Sequence, residues 1–203
     1  MRDMGPAGSV YVVDDDYDVR ASLALLLRSV GLEAQCFESA AALLAVVGPE
    51  CAGCVVADVR MPGMSGLELQ RELARRGIAL PLLMITGHAD VPTAVQAMKS
   101  GALDFLQKPF SDQALLDRVH AALRLDAEHR RRRSTRDDVQ ARLAALTPRE
   151  REVMERVVAG KPNKIVAREL GLSTRTVEIH RARLMEKMGA GSLAELVRLV
   201  VGQ

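Results

Sequence analysis

The feature that most constrains the fold is an alternation of short apolar runs with helical patterns through the first 125 residues. Most of the runs are rich in Val, Ile and Leu, which is typical of strands that are buried on both faces. Strands are predicted near residues 10–13, 33–37, 54–57, 82–85 and 104–107, and helices over 19–30, 39–47, 66–76, 91–100 and 112–124. Five strands that alternate with five helices predict an α/β fold, a doubly wound (βα)5 parallel sheet.

The rest of the chain is built differently. Residues 125–142 contain a run of arginines at 130–133 and several acids, with no Gly or Pro, which indicates a charged helical linker that continues the preceding helix. Glycines then interrupt the helical periods, and residues 143–203 are predicted to form an all-α domain of about four short helices. Residues 1–8 show no such pattern and are predicted to be disordered.

Charge divides the chain near the same place. Residues 1–125 hold 11 Lys and Arg against 15 Asp and Glu, whereas residues 126–203 hold 17 against 11. A basic second part indicates a polyanionic partner. The chain has no Trp, three Phe and two Tyr, which argues against a surface that binds single-stranded nucleic acid by stacking on its bases.

Targeting signals are absent from the sequence. No stretch reaches the roughly 18 apolar residues that a membrane span needs, and the first residues lack the apolar segment of a signal peptide. We therefore expect a cytoplasmic protein, and its three cysteines suit a reducing compartment. Cys51 and Cys54 have the C-x-x-C spacing, but they lead into a strand instead of a helix. The pattern therefore favours a core position for Cys54 over a redox or metal site.

Polar residues follow four of the predicted strands where each strand ends. Asp14 and Asp15 come after the first strand, Asp58 after the third, Thr86 after the fourth and Lys108 after the fifth. Because the carboxyl ends of parallel strands meet at one edge of the sheet, these side chains are expected to converge. Clustered carboxylates need a neutralising cation, and oxygen ligands suit Mg²⁺. A carboxylate beside Mg²⁺ can attack a phosphoryl group, while an ammonium and a hydroxyl stabilise its oxygens.

Residues 9–124 resemble the receiver domain of two-component response regulators. The segments that carry the resemblance are 12–16 (VVDDD), 58–66 (DVRMPGMSG) and 108–110 (KPF). Together with residues 85–91 (ITGHADV), they are similar to the FixJ subgroup in particular.

The resemblance implies a role for each residue of the pocket. Asp58 would accept a phosphoryl group from a sensor histidine kinase, and Thr86 and Lys108 would grip that group. The implied ligands of Mg²⁺ are Asp14, Asp15, Asp58 and the backbone carbonyl of Arg60. The peptide bond between Lys108 and Pro109 is expected to be cis, the isomer that X-Pro bonds tolerate.

Phe105 occupies the aromatic switch position of the family, where it would act together with Thr86. A phenyl ring can move between outward and buried rotamers but has no hydroxyl, so this switch would work by apolar packing alone. Two readings remain open for Arg60 and His88, which either modulate hydrolysis of the phosphoryl group or are solvated loop residues. Asp16 either completes the acidic cluster or caps the helix that follows.

The basic second part carries a helix-turn-helix pattern. Thr147, Pro148 and Glu150 can supply the N-cap, the first residue and the capping-box acid of a helix. Helices over 163–170 and 174–188 then flank a tight turn that contains glycine. The last of these helices has one face that can pack and a basic face that can enter a major groove. Taken alone, that basic face is equally compatible with a solvated surface.

Residues 143–203 resemble the LuxR/NarL-type DNA-binding domain. The matching segments are 146–150 (LTPRE), 163–167 (NKIVA) and 172–180 (LSTRTVEIH). By this resemblance, Arg175, Glu178, Ile179 and Ala182 lie near base edges. The complete set of implied DNA contacts is Lys164, Arg175, Thr176, Glu178, Ile179, His180, Arg181, Ala182, Arg183 and Lys187.

The two resemblances together imply a response regulator whose phosphorylation promotes homodimerisation and sequence-specific promoter binding. Thr86 would move inward, Phe105 would follow, and the face formed by the helix over 91–100 and the strand over 104–107 would pair with a second copy. Before phosphorylation, the receiver would fail to dimerise or would dock on the DNA-binding domain. The expected partners are a sensor histidine kinase, double-stranded promoter DNA and RNA polymerase. Activation is the commoner role in the subgroup, and the only catalysis expected is of the protein's own phosphorylation and dephosphorylation.

Two other classes of function are alternatives to this one. Hydrolases of the haloacid-dehalogenase type also use an aspartyl nucleophile with Mg²⁺, but they require a second Asp two residues later, where this chain has Arg60. A regulator that works by protein contact alone would use the basic domain to bind an acidic partner. Salt-sensitive binding to duplex DNA would separate this last alternative from the main prediction.

Overall fold

The computed structural model describes residues 8–87 and 103–201. The chain forms two compact units, which divide between Arg130 and Arg131. Outside the described residues lie His88, the predicted helix over 91–100, and residues 1–7 of the predicted disordered segment 1–8.

The first unit contains a five-stranded sheet in the order β2-β1-β3-β4-β5, and every pair of neighbouring strands is parallel. The chain reverses its direction of progress across the sheet after β2, so a topological switch point lies between β1 and β3. This order confirms the predicted doubly wound α/β fold. The strands are β1 (Ser9–Val13), β2 (Ala34–Phe37), β3 (Gly53–Asp58), β4 (Leu82–Thr86) and β5 (Asp104–Gln107).

Two residues of the predicted pocket end strands, whereas the sequence pattern suggested that they follow them. Asp58 is the last residue of β3, and Thr86 is the last residue of β4. The reason is that the parallel ladder continues beyond the apolar runs: Asp58 is in register with Ile85, and the backbone N–H of Lys108 donates to Thr86 O at 2.8 Å. Asp14 follows β1 directly, as predicted.

Three shorter helices of the first unit begin at side chains that accept backbone N–H groups. These N-caps are Asp16, Ser39 and Ser65, and Ser65 forms a capping box with Glu68. The second helix ends at Leu44, earlier than the predicted end at residue 47. The helices are α1 (Tyr17–Ser29), α2 (Ala40–Leu44) and α3 (Gly66–Arg75).

The longest helix, α4 (Asp112–Ala144), has 33 residues and includes both the predicted helix over 112–124 and the linker over 125–142. The buried carboxylate of Asp126 accepts a hydrogen bond from Gly53 N–H at 2.9 Å and pairs with Arg130 at 2.8 Å. Gly53 has a φ of 130°, and a Cβ there would overlap the carbonyl of Ser9. This contact attaches α4 to the start of β3.

The core of the first unit lies in two layers, one on each face of the sheet. Alternate residues of β1 divide between them: Tyr11 and Val13 belong to the layer under α2 and α3, and Val10 and Val12 belong to the layer under α1 and α4. The three central strands β1, β3 and β4 are therefore buried on both faces, as their apolar sequences indicated, whereas the edge strands β2 and β5 are only partly buried.

The second unit contains four short helices after α4 and no strand among its described residues. Gly171 and Gly189 end two of the helices in the left-handed conformation, at φ of 65° and 64°. The predicted capping box of Thr147 and Glu150 is present. The helices are α5 (Pro148–Val158), α6 (Asn163–Leu170), α7 (Thr174–Met188) and α8 (Leu193–Val201). None of the described helices combines the length and the apolar character that crossing a bilayer requires.

Candidate functional site: an acidic pocket and a helix-turn-helix face

The acidic pocket at the carboxyl edge of the sheet is organised around one ammonium group. Lys108 Nζ lies 3.0 Å from Asp14 Oδ2 and 3.1 Å from Asp58 Oδ1. Both carboxylates are buried, with residue exposures of 2% for Asp14 and 8% for Asp58. The lysine therefore offsets part of the repulsion between two carboxylates that lie close together inside the protein.

The pKa of Lys108 reflects this arrangement. Burial of the side chain by itself lowers the pKa, because it disfavours the charged form. The hydrogen bonds to Asp14 and Asp58 and their negative charge outweigh that cost, and the net effect raises the pKa. The ammonium consequently keeps its proton at neutral pH.

Backbone donors fix the orientation of the two buried carboxylates. The N–H of Arg60 donates to Asp58 Oδ2 at 2.6 Å, and the N–H of Asp16 donates to Asp14 Oδ1 at 2.9 Å. Arg20, which the sequence analysis did not single out, donates from Nη1 to the carbonyl of Asp14 at 2.6 Å. No motif in the sequence marks Arg20, since its role follows from the position of α1 against the end of β1.

The predicted switch residues lie on adjacent strands beside the pocket. Thr86 is 1% exposed at the end of β4. Phe105 on β5 is half-buried, lies in register with Met84, and packs against the core layer that contains Met84. The peptide bond between Lys108 and Pro109 is cis, as the resemblance implied.

The remaining predicted residues of the pocket are less closely joined to this centre. The side chains of Asp15 and Arg60 are exposed. Asp16 is the N-cap of α1, because its carboxylate accepts from the N–H groups of Asp18 and Val19 at 2.8 and 3.4 Å. Of the two readings left open for Asp16, the helix cap is therefore the one observed. Across residues 8–87 and 103–201, no three His, Cys, Asp or Glu side chains form a complete metal-binding group by themselves.

The second unit presents one exposed face of α7. Its inward side chains Val177, Leu184 and Met188 are fully buried in the core of the unit. Ile179 on this face is apolar and 45% exposed. The other exposed residues among the predicted DNA contacts are Lys164, Arg175, Glu178, Ala182, Arg183 and Lys187.

Three of the predicted DNA contacts on α7 already have protein partners. The hydroxyl oxygen of Thr176 lies 2.8 Å from the hydroxyl oxygen of Ser173. Arg181 Nη1 donates to Asn163 Oδ1 at 3.1 Å, which joins α7 to the start of α6. Lys187 donates to Glu150 Oε2 at 2.7 Å and to the carbonyl of Ala145 at 3.1 Å. The structure thus gives Lys187 a role in packing that the sequence analysis missed, because nothing local links residue 187 to residue 150.

The cysteines show no sign of a redox pair. All three thiols are free: Cys36 is exposed, Cys51 is partly buried and Cys54 is fully buried in β3. Burial raises the pKa of Cys54 to about 12. A thiol with such a pKa is protonated at neutral pH and is a poor nucleophile.

Comparisons with known proteins agree with this two-unit description. Residues 10–120 match the family described as "Response regulator receiver domain", and residues 144–200 match "Bacterial regulatory proteins, luxR family". An α/β receiver followed by a helix-turn-helix domain defines the class of response regulators with a DNA-binding output.

Similar proteins extend over nearly the whole chain. It is 52% identical to the "Transcriptional regulatory protein FixJ" of Azorhizobium caulinodans over 192 residues, which are 95% of this chain and 91% of that protein. It is 50% identical to "Nodulation protein W" of Bradyrhizobium diazoefficiens over 190 residues, which are 94% of this chain and 84% of that protein. The structure of the response regulator StyR superposes with a TM-score of 0.91 at 46% identity, covering 97% of this chain and 99% of that chain.

The chain therefore belongs to the two-component response regulators, and it combines a receiver domain with a LuxR-type DNA-binding domain as the FixJ transcriptional regulators do.

Proposed function

We propose that this protein is activated when Asp58 accepts a phosphoryl group from the histidine of a sensor kinase. The environment of the Asp58 carboxylate carries this proposal. One carboxylate oxygen accepts from the ammonium of Lys108, and the other accepts from the N–H of Arg60. Two donors on a buried carboxylate at a strand end hold it in one orientation, which is what attack on an incoming phosphorus atom requires.

The transfer is a displacement at phosphorus. An oxygen of Asp58 forms the new bond to phosphorus as the phosphorus–nitrogen bond of the kinase phosphohistidine breaks, and the electron pair of that bond stays on the imidazole nitrogen. The ammonium of Lys108, whose pKa is raised, remains protonated beside the phosphoryl oxygens and offsets their charge. Thr86, at the end of the neighbouring strand, offers its hydroxyl to a phosphoryl oxygen.

Mg²⁺ is the cofactor that fits this pocket, and receiver domains of the family generally use it. Asp14 and Asp58 already share one cation, the Lys108 ammonium, and oxygen-only donors are the preference of Mg²⁺. Asp15 and the carbonyl of Arg60 would complete the ligand set. When bound, the ion neutralises negative charge on the transferring phosphoryl group.

The output we propose is sequence-specific binding of promoter DNA by the exposed face of α7. Arg175, Glu178, Ile179 and Ala182 are the candidates for base edges, with Glu178 accepting from a cytosine amino group and Ile179 contacting a thymine methyl. Lys164 and Arg183 are the candidates for phosphates. Phosphorylation would promote homodimerisation through the first unit, so that two DNA-binding domains meet paired half-sites.

Several finer parts of the proposal rest on the family alone. RNA polymerase is the proposed downstream partner, activation of transcription the proposed effect, and the cytoplasm the proposed compartment. The only catalysis proposed is that of the protein's own phosphorylation and dephosphorylation.

The test is duplex-DNA binding across a panel of promoter fragments, with and without beryllofluoride and Mg²⁺ as a phosphoryl mimic. We expect the mimic to raise DNA affinity for the wild-type protein and for Asp117→Asn, a matched control in which an exposed carboxylate of α4 is neutralised. Asp58→Asn should lose the response.

Each other outcome has a definite meaning. A response of equal size in Asp58→Asn would overturn the assignment of the phospho-acceptor. Equal DNA binding with and without the mimic would leave the DNA-binding domain in place and move phosphorylation control to a later step. Absence of duplex binding in both states would favour a regulator that works through protein contact.

A further inference from the structure

A cleft of about 440 Å³ lies wholly within the second unit, between α8 and the part of α4 over residues 131–139. Its walls carry four arginines, three from α4 and one from α8. The volume falls in the range of about 300–1,000 Å³ that is typical of small-ligand sites. These arginines are Arg131, Arg132, Arg136 and Arg198.

The charge of the cleft is uncompensated within the described part of the chain. All four guanidinium groups are exposed, none of them has an ion pair there, and no acidic side chain lines the cleft. The nearby acids Asp138 and Glu195 have other partners, since Asp138 pairs with Arg142 at 2.8 Å and Glu195 accepts from Gly191 N–H at 2.9 Å. Four like charges around one cleft repel one another and favour a bound anion.

The floor of the cleft is apolar. Val139 is 3% exposed and belongs to the core of the second unit, and Leu199 packs against that core. Thr135 also lines the cleft, but its hydroxyl donates to the carbonyl of Arg131 at 3.0 Å. The cleft therefore offers guanidinium donors at its rim and an apolar surface at its base.

We propose that this cleft binds a nucleoside polyphosphate. Guanidinium groups bind phosphates in a bidentate manner and also stack on planar rings, so arginines from two walls can hold a polyphosphate chain. Of the two residues at the apolar floor, Leu199 is partly exposed and can contact the flat face of a base, whereas a phosphodiester backbone or a free inorganic anion would leave that contact unused.

The position of the cleft separates it from the proposed DNA-reading face. The C-terminal end of α7 meets α4 at residues 142–145, where Arg142 Nη1 donates to Met188 O at 2.8 Å and Lys187 donates to Ala145 O at 3.1 Å. Arg136 and Arg131 precede Arg142 on α4 by six and eleven residues. At the rise of an α-helix, they lie about 9 and 16 Å from Arg142 along the helix axis. The residues proposed to read bases lie toward the opposite end of α7, so the cleft is a second anion site and not an extension of the first.

The experiment is isothermal titration of the full-length protein with ATP in a buffer free of divalent cations, which keeps metal-dependent binding at the receiver out of the measurement. Arg132→Gln and Arg198→Gln remove one charge from each wall. Arg133→Gln is the matched control, because Arg133 belongs to the same arginine run but does not line the cleft. The melting temperature of each variant shows whether it is folded.

We expect ATP to bind the wild-type protein and Arg133→Gln with affinities within about twofold of each other. Arg132→Gln and Arg198→Gln should each weaken binding about tenfold or more, as expected for loss of a charge-assisted hydrogen bond. Tripolyphosphate should bind more weakly than ATP, adenosine more weakly still, and ATP should raise the melting temperature of the wild type more than that of Arg198→Gln.

Three results would overturn the proposal. Equal binding of tripolyphosphate and ATP would remove the role of the apolar floor and with it the nucleoside. An equal loss in Arg133→Gln would mean attraction by general charge and no defined site. Loss of duplex-DNA affinity in Arg198→Gln as large as its loss of ATP affinity would assign the cleft to the DNA surface. None of these measurements depends on Asp58, so they test the cleft independently of the proposed phosphorylation.

Discussion

Lys187 Nζ, near the end of α7, lies 2.7 Å from Oε2 of Glu150 in the first turn of α5. The Glu150 side chain is only 3% exposed, and its Oε2 also accepts from the N–H of Thr147 at 2.8 Å. One carboxylate oxygen thus closes the capping box of α5 and pairs with the cation of α7. The helix that presents the proposed DNA-reading face is thereby attached to the first helix of the same domain.

We predict that Lys187→Met destabilises the DNA-binding domain by roughly 2 kcal/mol, because it leaves a buried carboxylate without its cation. Chemical denaturation followed by circular dichroism measures the change. Lys161→Met is the matched control: it breaks the exposed pair with Glu169 and should cost at most about 1 kcal/mol. Equal losses in the two variants would contradict the structural role of Lys187.

Stability should also depend on pH through Glu150. The hydrogen bond from Lys187 and the N–H of Thr147 lower the pKa of Glu150 from 4.5 to about 2, against the opposing effect of burial. Because the pKa is lower in the folded state, this contribution is fully present above about pH 4.5 and is lost as the pH falls toward 2. Denaturation curves of wild type and Glu150→Gln should converge over that interval. A constant difference between them from pH 6 down to about 2 would refute the assignment.

Cysteine reactivity should follow burial. At pH 8 we expect iodoacetamide to modify Cys36 rapidly, whereas Cys54, with a pKa of about 12, should react only when the protein is unfolded. Mass spectrometry of peptides after timed alkylation in buffer and in denaturant measures both rates. Rapid modification of Cys54 in the folded protein, or a disulfide between Cys51 and Cys54, would contradict this expectation.

Substitutions on the exposed face of α7 should affect DNA binding in two different ways, depending on whether the side chain contacts a base or a phosphate. Ile179→Ala should lower discrimination at one base pair of the site by about 1 kcal/mol, because it removes an apolar contact with a thymine methyl group. Arg183→Gln should weaken binding to all DNA sequences alike. It should also reduce the slope of log affinity against log salt concentration by about 1, the amount expected for one lost phosphate contact. Filter binding on single-base variants of a site, repeated at several salt concentrations, distinguishes these effects. Lys187→Met should leave the salt dependence of DNA binding unchanged, because the ammonium of Lys187 is held by Glu150 and Ala145 and not by the DNA contact that the sequence implied for it.

Local sequence signals predicted the framework well. All five strands lie within about two residues of the predicted positions. For β1, β3 and β4 the reason is that a short apolar run buried on both faces leaves few alternatives. The start of α5 at Pro148 follows from Thr147 and Glu150, whose capping box involves neighbours only three residues apart. The end of α2 was predicted three residues too late, since Gly48 and Pro49 mark an end at residue 47 but the helix ends before them, at Leu44.

The resemblance to receiver domains predicted which residues form the pocket, but it did not predict the hydrogen bonds between them. Lys108 is separated by 94 residues from Asp14 and by 50 from Asp58, and its ammonium bonds to both. That a single cation serves two buried carboxylates depends on the register of β1, β3 and β5, which brings distant strand ends together.

The sequence by itself determined the order of the described strands and helices along the chain, the helix caps and the division into an acidic and a basic part. These properties depend on periodicity, capping and charge, which act over a few residues. Only the tertiary structure decided which distant groups interact. It pairs Lys187 with Glu150, places the Gly53 N–H within hydrogen-bonding distance of Asp126, and leaves four arginines of one cleft without acidic partners in the described part of the chain. Partners of this kind are chosen by packing between distant segments, and no local pattern encodes that choice.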